Sequence, residues 1–193
     1  FEAALQSFIL NEDGTIDAPI IEPASRVPDK ELDPIALDED LNISQVYYAI
    51  VSGIKDYFNK MGFTKAIIGS SGGIDSAVTL ALACDALGAA NVRAVLMPSE
   101  YSTGHSVSDA EKLSKNLGNP YDIIPIKNIY DSFISDLKPV FKDLPFSIAE
   151  ENIQSRTRGN LLMAIANKFG YILLNTSNKS ELATGYGTLY GDM

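Results

Sequence analysis

The feature that most constrains this chain is a glycine turn, Ser71-Gly72-Gly73-Ile74-Asp75-Ser76, set between two apolar segments of different period. Residues 64–69 read as a short buried strand. Residues 74–87 read as a helix that Gly88 closes. Two adjacent glycines let the backbone come close to a ligand and aim successive N–H groups at it. The helix that follows adds the positive end of its dipole, so the turn can cradle a phosphate or pyrophosphate. Ser71 and Ser76 bring hydroxyls, and Asp75 can hold Mg2+ beside those phosphates. No Gly-Lys-Ser/Thr follows, which excludes a Walker A loop, and the spacing is not the dinucleotide G-x-G-x-x-G. The competing reading is an ordinary strand-to-helix turn with Ser and Asp as caps.

The same strand–helix alternation continues along the chain. Val46, Ile50, Ile54, Tyr57 and Phe58 fall on one face of a helix that starts near Ser44 and ends at Gly62. Strands are expected over 92–97, 121–126 and 171–175, and helices over 106–117, 129–137 and 150–169. Such alternation implies an α/β fold: a doubly wound parallel sheet with right-handed crossovers and helices on both faces. Ligands of these sheets bind outside the carboxyl ends of the strands. Three polar segments, 69–75, 98–105 and 176–181, directly follow strands and should gather there as the active site.

With 193 residues, 46% of them hydrophobic, the chain can bury one full core. Its net charge of −10 repels phosphate backbones, so nucleic acid is a poor partner, and an anionic ligand must be held by local devices. No apolar run approaches the roughly 20 residues that span a bilayer. Cys84 is the single cysteine, which rules out an internal disulfide; with no signal-peptide pattern, a cytoplasmic setting is expected. Residues 1–10 could form a short helix or strand. Residues 11–40, with Pro19, Pro23, Pro28 and Pro34 among Asp and Glu, have linker composition.

The glycine turn resembles the signature of the N-type ATP pyrophosphatases, which cleave ATP to AMP and pyrophosphate while activating an acid as its adenylate. Later motifs narrow the resemblance. They are Met97-Pro98-Ser99-Glu100-Tyr101-Ser102, the run Glu150-Glu151-Asn152-Ile153-Gln154-Ser155-Arg156-Thr157-Arg158, and Asn175-Thr176-Ser177-Asn178-Lys179-Ser180-Glu181 with its continuation to Met193. In that order they look like the NAD synthetases, most of all the synthetase half of the glutamine-dependent bacterial enzymes. The resemblance implies a Rossmann-like fold of the adenine nucleotide alpha-hydrolase type over residues 44–193, truncated at its C-terminal end. Residues 1–43 would then be a linker or tail of an upstream glutaminase domain. It also implies ATP-dependent amidation of deamido-NAD to NAD with Mg2+, nitrogen from ammonia or glutamine, and a homodimer or larger assembly.

Carried over residue by residue, the resemblance puts Gly69, Ser70, Ser71, Gly72, Gly73, Ile74, Asp75, Ser76, Leu96 and Thr176 at ATP. Asn152, Arg156 and Glu181 go to deamido-NAD, Asp75 and Glu181 to the metal, and Lys179 joins them in charge stabilisation. Asn152 and Arg156 lie four apart, on one helical face, as a shared ligand requires. Each has an ordinary alternative: Arg156 and Arg158 a solvated pair or partners of Glu150 and Glu151, Thr176 a turn or cap residue, Glu181 and Lys179 surface charges. Cys84 is expected to be inert core, His105 a turn or capping residue, and Tyr47, Tyr48 and Tyr57 helix-packing residues. The sequence departs from the ammonia-dependent branch at two places. Leu189 stands where that branch has a substrate-contacting lysine, and Leu96 lies near its adenine-side arginine. Adenine contacts are therefore expected from backbone groups of Leu96 and Met97.

Overall fold

The computed structural model describes residues 9–11, 13, 16–17, 39–102 and 104–192. The chain divides into two compact units, residues 1–49 and 50–193. Most of the expected linker, and Met193, lie outside the described residues. In the first unit, β1 (Ile9–Leu10) pairs antiparallel with β2 (Ile16–Asp17), and helix α1 (Glu39–Met61) begins.

The second unit holds a four-stranded parallel sheet. Its strands are β3 (Ala66–Gly69), β4 (Val92–Leu96), β5 (Tyr121–Ile123) and β6 (Ile172–Leu174), in the order β5-β4-β3-β6. Parallel registers run Ala66 to Val92, Ala66 to Ile172 and Ala94 to Tyr121. Helices α2 (Ile74–Leu87), α3 (Gly104–Leu117), α4 (Lys127–Phe141), α5 (Ile148–Phe169) and α6 (Lys179–Thr184) follow the strands.

Both sheet faces are covered, which is why β3, and β4 apart from Arg93, are apolar on both faces rather than alternating. On one face Ala66, Ile68, Ala94 and Leu96 pack with Phe58, Leu80, Ala83, Cys84 and Ala110. On the other, Ile67 and Val95 pack with Met97, Ile126, Leu162 and Ala166, so α5 covers this side. Full burial of each such aliphatic side chain contributes about 1.5–3 kcal/mol. Cys84 lies in the first cluster, and burial, with Asp85 nearby, pushes its thiol up to about 11, which keeps it protonated and inert as expected.

Three expectations need adjustment. The strands stop earlier than the apolar runs, because Met97 and Ile126 are buried, and Ile124 partly buried, as packing residues beyond the ladder. Among the described side chains of α1 only Phe58 is buried, with Ile54 packed against the core; Val46, Ile50 and Tyr57 are 43–54% exposed, and Tyr47 and Tyr48 are exposed as well. The tyrosines stay outside the core, though the Tyr57 ring packs on Phe58 and Phe63 and Tyr47 meets Tyr48 edge to face. Finally, residues 179–184 form a helix where a polar loop was expected. No helix among the described residues is long and apolar enough to cross a membrane.

Candidate nucleotide-binding site

The strand order fixes where a ligand can sit. From β3 the chain moves outward through β4 and β5, then returns to the opposite side of β3 as β6. Loops leaving β3 and β6 at their carboxyl ends diverge and leave a crevice between them. A cleft of about 870 Å³ occupies that place, lined among others by Ser70 and Ser71 after β3, Leu96 of β4 and Met97 just after it, Thr176 after β6, and Arg158 of α5. Pro98, Ser102 and Ser106 also line it, so the three polar segments do converge.

The glycine turn is bound mostly to itself. Gly73 is the N-cap of α2, with extended φ −83° and ψ 165°. Its N–H donates to Ser71 Oγ at 3.1 Å, while the Ser71 N–H donates to Ser76 Oγ at 3.3 Å. Ser76 Oγ donates to the Gly73 carbonyl at 3.0 Å, and the two hydroxyl oxygens lie 3.1 Å apart. Ser71 and Ser76 thus build the turn before they could serve a ligand. Gly72 has φ +83°, and a Cβ there would sit 2.3 Å from the Ser106 carbonyl oxygen, so α3's backbone also demands this glycine. Ser70 differs from its neighbours: it is 5% exposed, its N–H donates to the Val95 carbonyl at 2.9 Å, and its Oγ has no partner. A buried unpartnered hydroxyl costs about 1–3 kcal/mol. On a cleft wall, that is a group waiting for an acceptor or donor. Gly69 packs beneath, where a Cβ would meet Leu162 at 3.1 Å, and Ile74 is 75% exposed at the start of α2.

The second polar segment reaches the first through one amide. Asn178 caps α6: its Oδ1 accepts from the Glu181 N–H at 3.0 Å, and Glu181 Oε2 accepts from the Asn178 N–H at 3.1 Å. The spacing Asn-x-x-Glu is a capping box, a signal that could have placed α6 from sequence. Asn178 Nδ2 also donates to Asp75 Oδ1 at 3.3 Å. Asp75 and Glu181 therefore share Asn178 as a common partner. Thr176 is half-buried with no hydrogen bond to its hydroxyl among the described residues, and it is not the cap. Lys179 is exposed on the first turn of α6, outside the cleft lining.

Helix α5 opens with another capping box, Ser147 with Glu150; the Ser147 N–H donates to Glu150 Oε2 at 2.8 Å and holds that carboxyl below the usual range. Neither Arg156 nor Arg158 pairs with Glu150 or Glu151. Asn152 and Arg156 do share one face, and that face holds the chain's own segment 188–192. Thr188 Oγ1 donates to Asn152 Oδ1 at 2.9 Å, and Arg156 Nε to the Leu189 carbonyl at 3.2 Å. Asn175 Nδ2 and Ser177 Oγ donate to the Asp192 carbonyl at 2.9 and 3.2 Å. Two glycines let this strap lie on the helix. A Cβ on Gly159 would be 2.7 Å from the Gly191 carbonyl oxygen, and one on Gly191 would be 2.3 Å from Ser155 Oγ. At the cleft, the carbonyls of Leu96 and Met97 already accept hydrogen bonds, from the Ile124 N–H at 2.8 Å and from Arg158 Nε at 3.1 Å.

A glycine turn running into a helix at the switch point of a parallel sheet, hydrogen-bonded to the segment after the neighbouring strand, defines an α/β domain of the nucleotide-binding, adenine nucleotide alpha-hydrolase-like class. A family model described as NAD synthase matches residues 46–193, and the chain belongs to that family. It is 57% identical over 153 residues to the glutamine-dependent NAD(+) synthetase of Synechocystis sp., covering 79% of this chain and 27% of that protein. Among solved structures, the glutamine-dependent NAD+ synthetase of Acinetobacter baumannii in complex with ADP aligns with a TM-score of 0.75 and 48% identity, over 76% of this chain and 28% of that one. The NH3-dependent NAD synthetase of Campylobacter jejuni aligns with a TM-score of 0.70 and 34% identity, over 77% and 62% respectively. The chain spans 27–36% of the length of curated relatives such as those from Synechocystis and Acinetobacter baylyi.

Proposed function

We propose that this chain is the ATP-using part of an enzyme that amidates deamido-NAD to NAD through an acyl-adenylate. The observation that carries the reading is the junction of the glycine turn with the segment after β6, where the Asn178 side-chain amide donates to Asp75. The A. baumannii relative was solved in complex with ADP, which supports an adenine nucleotide as a ligand in this family.

In the first half-reaction a nicotinate carboxylate oxygen attacks the α-phosphorus of ATP, and pyrophosphate leaves. A carboxylate is a poor acylating agent; adenylation supplies it with a good leaving group. In the second, ammonia attacks the acyl carbon, AMP departs and the amide forms with loss of a proton. No protein nucleophile is needed, and the work is positioning and charge stabilisation. The turn's backbone at Gly72 and Gly73, with the N-terminus of α2, takes the terminal phosphates. Ser70 Oγ and the Thr176 hydroxyl offer hydrogen bonds from two sides of the cleft. Lys179 adds positive charge near the departing pyrophosphate, and Asn152 and Arg156 orient the dinucleotide.

Asp75 and Glu181 fit Mg2+, being hard oxygen donors joined by one amide, and Mg2+ takes one or two carboxylates together with substrate phosphates. When bound, the ion neutralises charge on the pyrophosphate. Nitrogen arrives from a glutaminase domain upstream of residue 44 in the complete protein, or as free ammonia, in a cytoplasmic homodimer or larger assembly. Full-length protein incubated with ATP, Mg2+ and deamido-NAD should produce AMP only when the acid is present. ATP binding without acid-dependent AMP would make this a binding module, and AMP formation with another acid in place of deamido-NAD would reassign the substrate.

A further inference from the structure

Arg158 takes no part in the chemistry assigned to the cleft so far, and the structure leaves it without a counter-ion. It projects from α5 into the cleft, is partly withdrawn from water, and burial holds its guanidinium below the ordinary arginine range. An arginine there remains charged all the same. Its Nε donates to the Met97 carbonyl at 3.1 Å. It forms no ion pair among the described residues, which leaves its two NH2 groups unpartnered. A desolvated cation with no anion destabilises a fold. Retaining one in a ligand cleft makes sense when the ligand brings the anion.

The position says which anion. Helix α2, whose N-terminus carries the glycine turn, packs on one face of the sheet, and α5 packs on the other. The cleft thus has a positive device on each wall. The turn suits the terminal phosphates of a polyphosphate chain. Arg158 is tethered to the Met97 carbonyl just past the end of β4, on the side where Leu96 and Met97 line the cleft, away from the turn.

We propose that Arg158 takes the α-phosphate of the bound nucleotide and holds that phosphate as the acyl-adenylate forms. This rests on the nucleotide reading of the cleft. The test is calorimetric titration of the full-length protein, its R158Q and its R158K variants, with AMP alone and with inorganic pyrophosphate plus Mg2+. R158Q should bind AMP about 10- to 100-fold more weakly, as expected for losing hydrogen bonds to a charged group. Its pyrophosphate affinity should stay within about twofold, because the other wall is intact. R158K, which keeps the charge and loses the planar fork, should fall between. The thermal midpoint of R158Q should equal or exceed that of the parent, because an uncompensated charge has been removed. Unchanged AMP affinity in either folded variant overturns the proposal, as does an equal loss of both ligands together with a lowered midpoint. A parent protein that binds neither ligand overturns the nucleotide reading itself.

Discussion

The glycine turn and the strap at 188–192 border the same cleft and are held in opposite ways. In the turn, Ser71, Gly73 and Ser76 satisfy one another, and Gly72 is pinned against α3. The strap is held mostly by others: Asn152, Arg156, Asn175 and Ser177 all reach out to it. Its own bonds close one turn at its ends, the Thr188 N–H to Asp192 Oδ1 at 2.5 Å and the Gly191 and Asp192 N–H groups to the Thr188 carbonyl at 2.9 and 3.2 Å, while Tyr190 between them adopts a positive φ of 62° with 81% exposure. A self-bonded turn is preorganised for charge stabilisation, where reorganisation is costly. A segment held by residues also expected at the substrate can exchange those partners for a ligand. One wall is built before substrate arrives, and the other can complete itself around it.

The most disruptive way to probe that contrast is Gly72→Ala. The left-handed φ costs about 1–2 kcal/mol and the clash with Ser106 a further 1–3, so denaturant unfolding should show a loss of about 2–5 kcal/mol. Stability within about 0.5 kcal/mol of the parent would mean that the turn is not rigid. Asp75→Ala should separate chemistry from folding. Pyrophosphate release in the full-length protein should drop about 10²–10³-fold while the exposed site leaves the unfolding midpoint nearly unchanged. Unaltered release would remove Asp75 from the machinery.

Gly191→Ala probes the other wall, through the 2.3 Å approach to Ser155. Displacing a largely exposed strap should cost less than about 1 kcal/mol, yet shift KM for deamido-NAD while KM for ATP holds. Equal shifts in both would contradict separate walls. The smallest effect is expected at the start of α5: Ser147→Ala loses the cap and about 1 kcal/mol. The acid sensitivity of that cap follows from Glu150, whose folded carboxyl is depressed chiefly by the Ser147 N–H. Its stabilisation is full above the ordinary glutamate value of about 4.3 and fades as pH falls through the lower folded value. The parent and Ser147→Ala, which keeps the backbone N–H at position 147, should therefore both lose stability on acidification, and Glu150→Gln, which has no carboxylate to protonate there, should lose less.

Much of this was legible in the residues. Helix α2 begins at Ile74 and ends at Leu87, as glycine punctuation and apolar spacing indicate. Buried parallel strands announce themselves as apolar runs, although their ends blur where Met97 and Ile126 stay buried outside the ladder. The convergence of 69–75 with 176–181 followed from the rule that ligands bind at carboxyl ends of strands. What escaped depends on long-range packing. Nothing local tells that Gly72 faces Ser106, or that Asn152 and Arg156 first meet the chain's own strap. Arg158 reads as a surface charge until β4 is seen beneath it. Helix α6 was missed although its capping box was present, because six residues give too little period to outweigh a polar composition.

Amide hydrogen exchange of the full-length protein, with and without Mg2+ and a non-hydrolysable ATP analogue, tests most directly whether one nucleotide bridges the loops after β3 and β6. Residues 70–76 and 176–181 should gain protection together at the same analogue concentration. Protection of the turn alone, with 176–181 exchanging as before, would contradict a single site at the switch point.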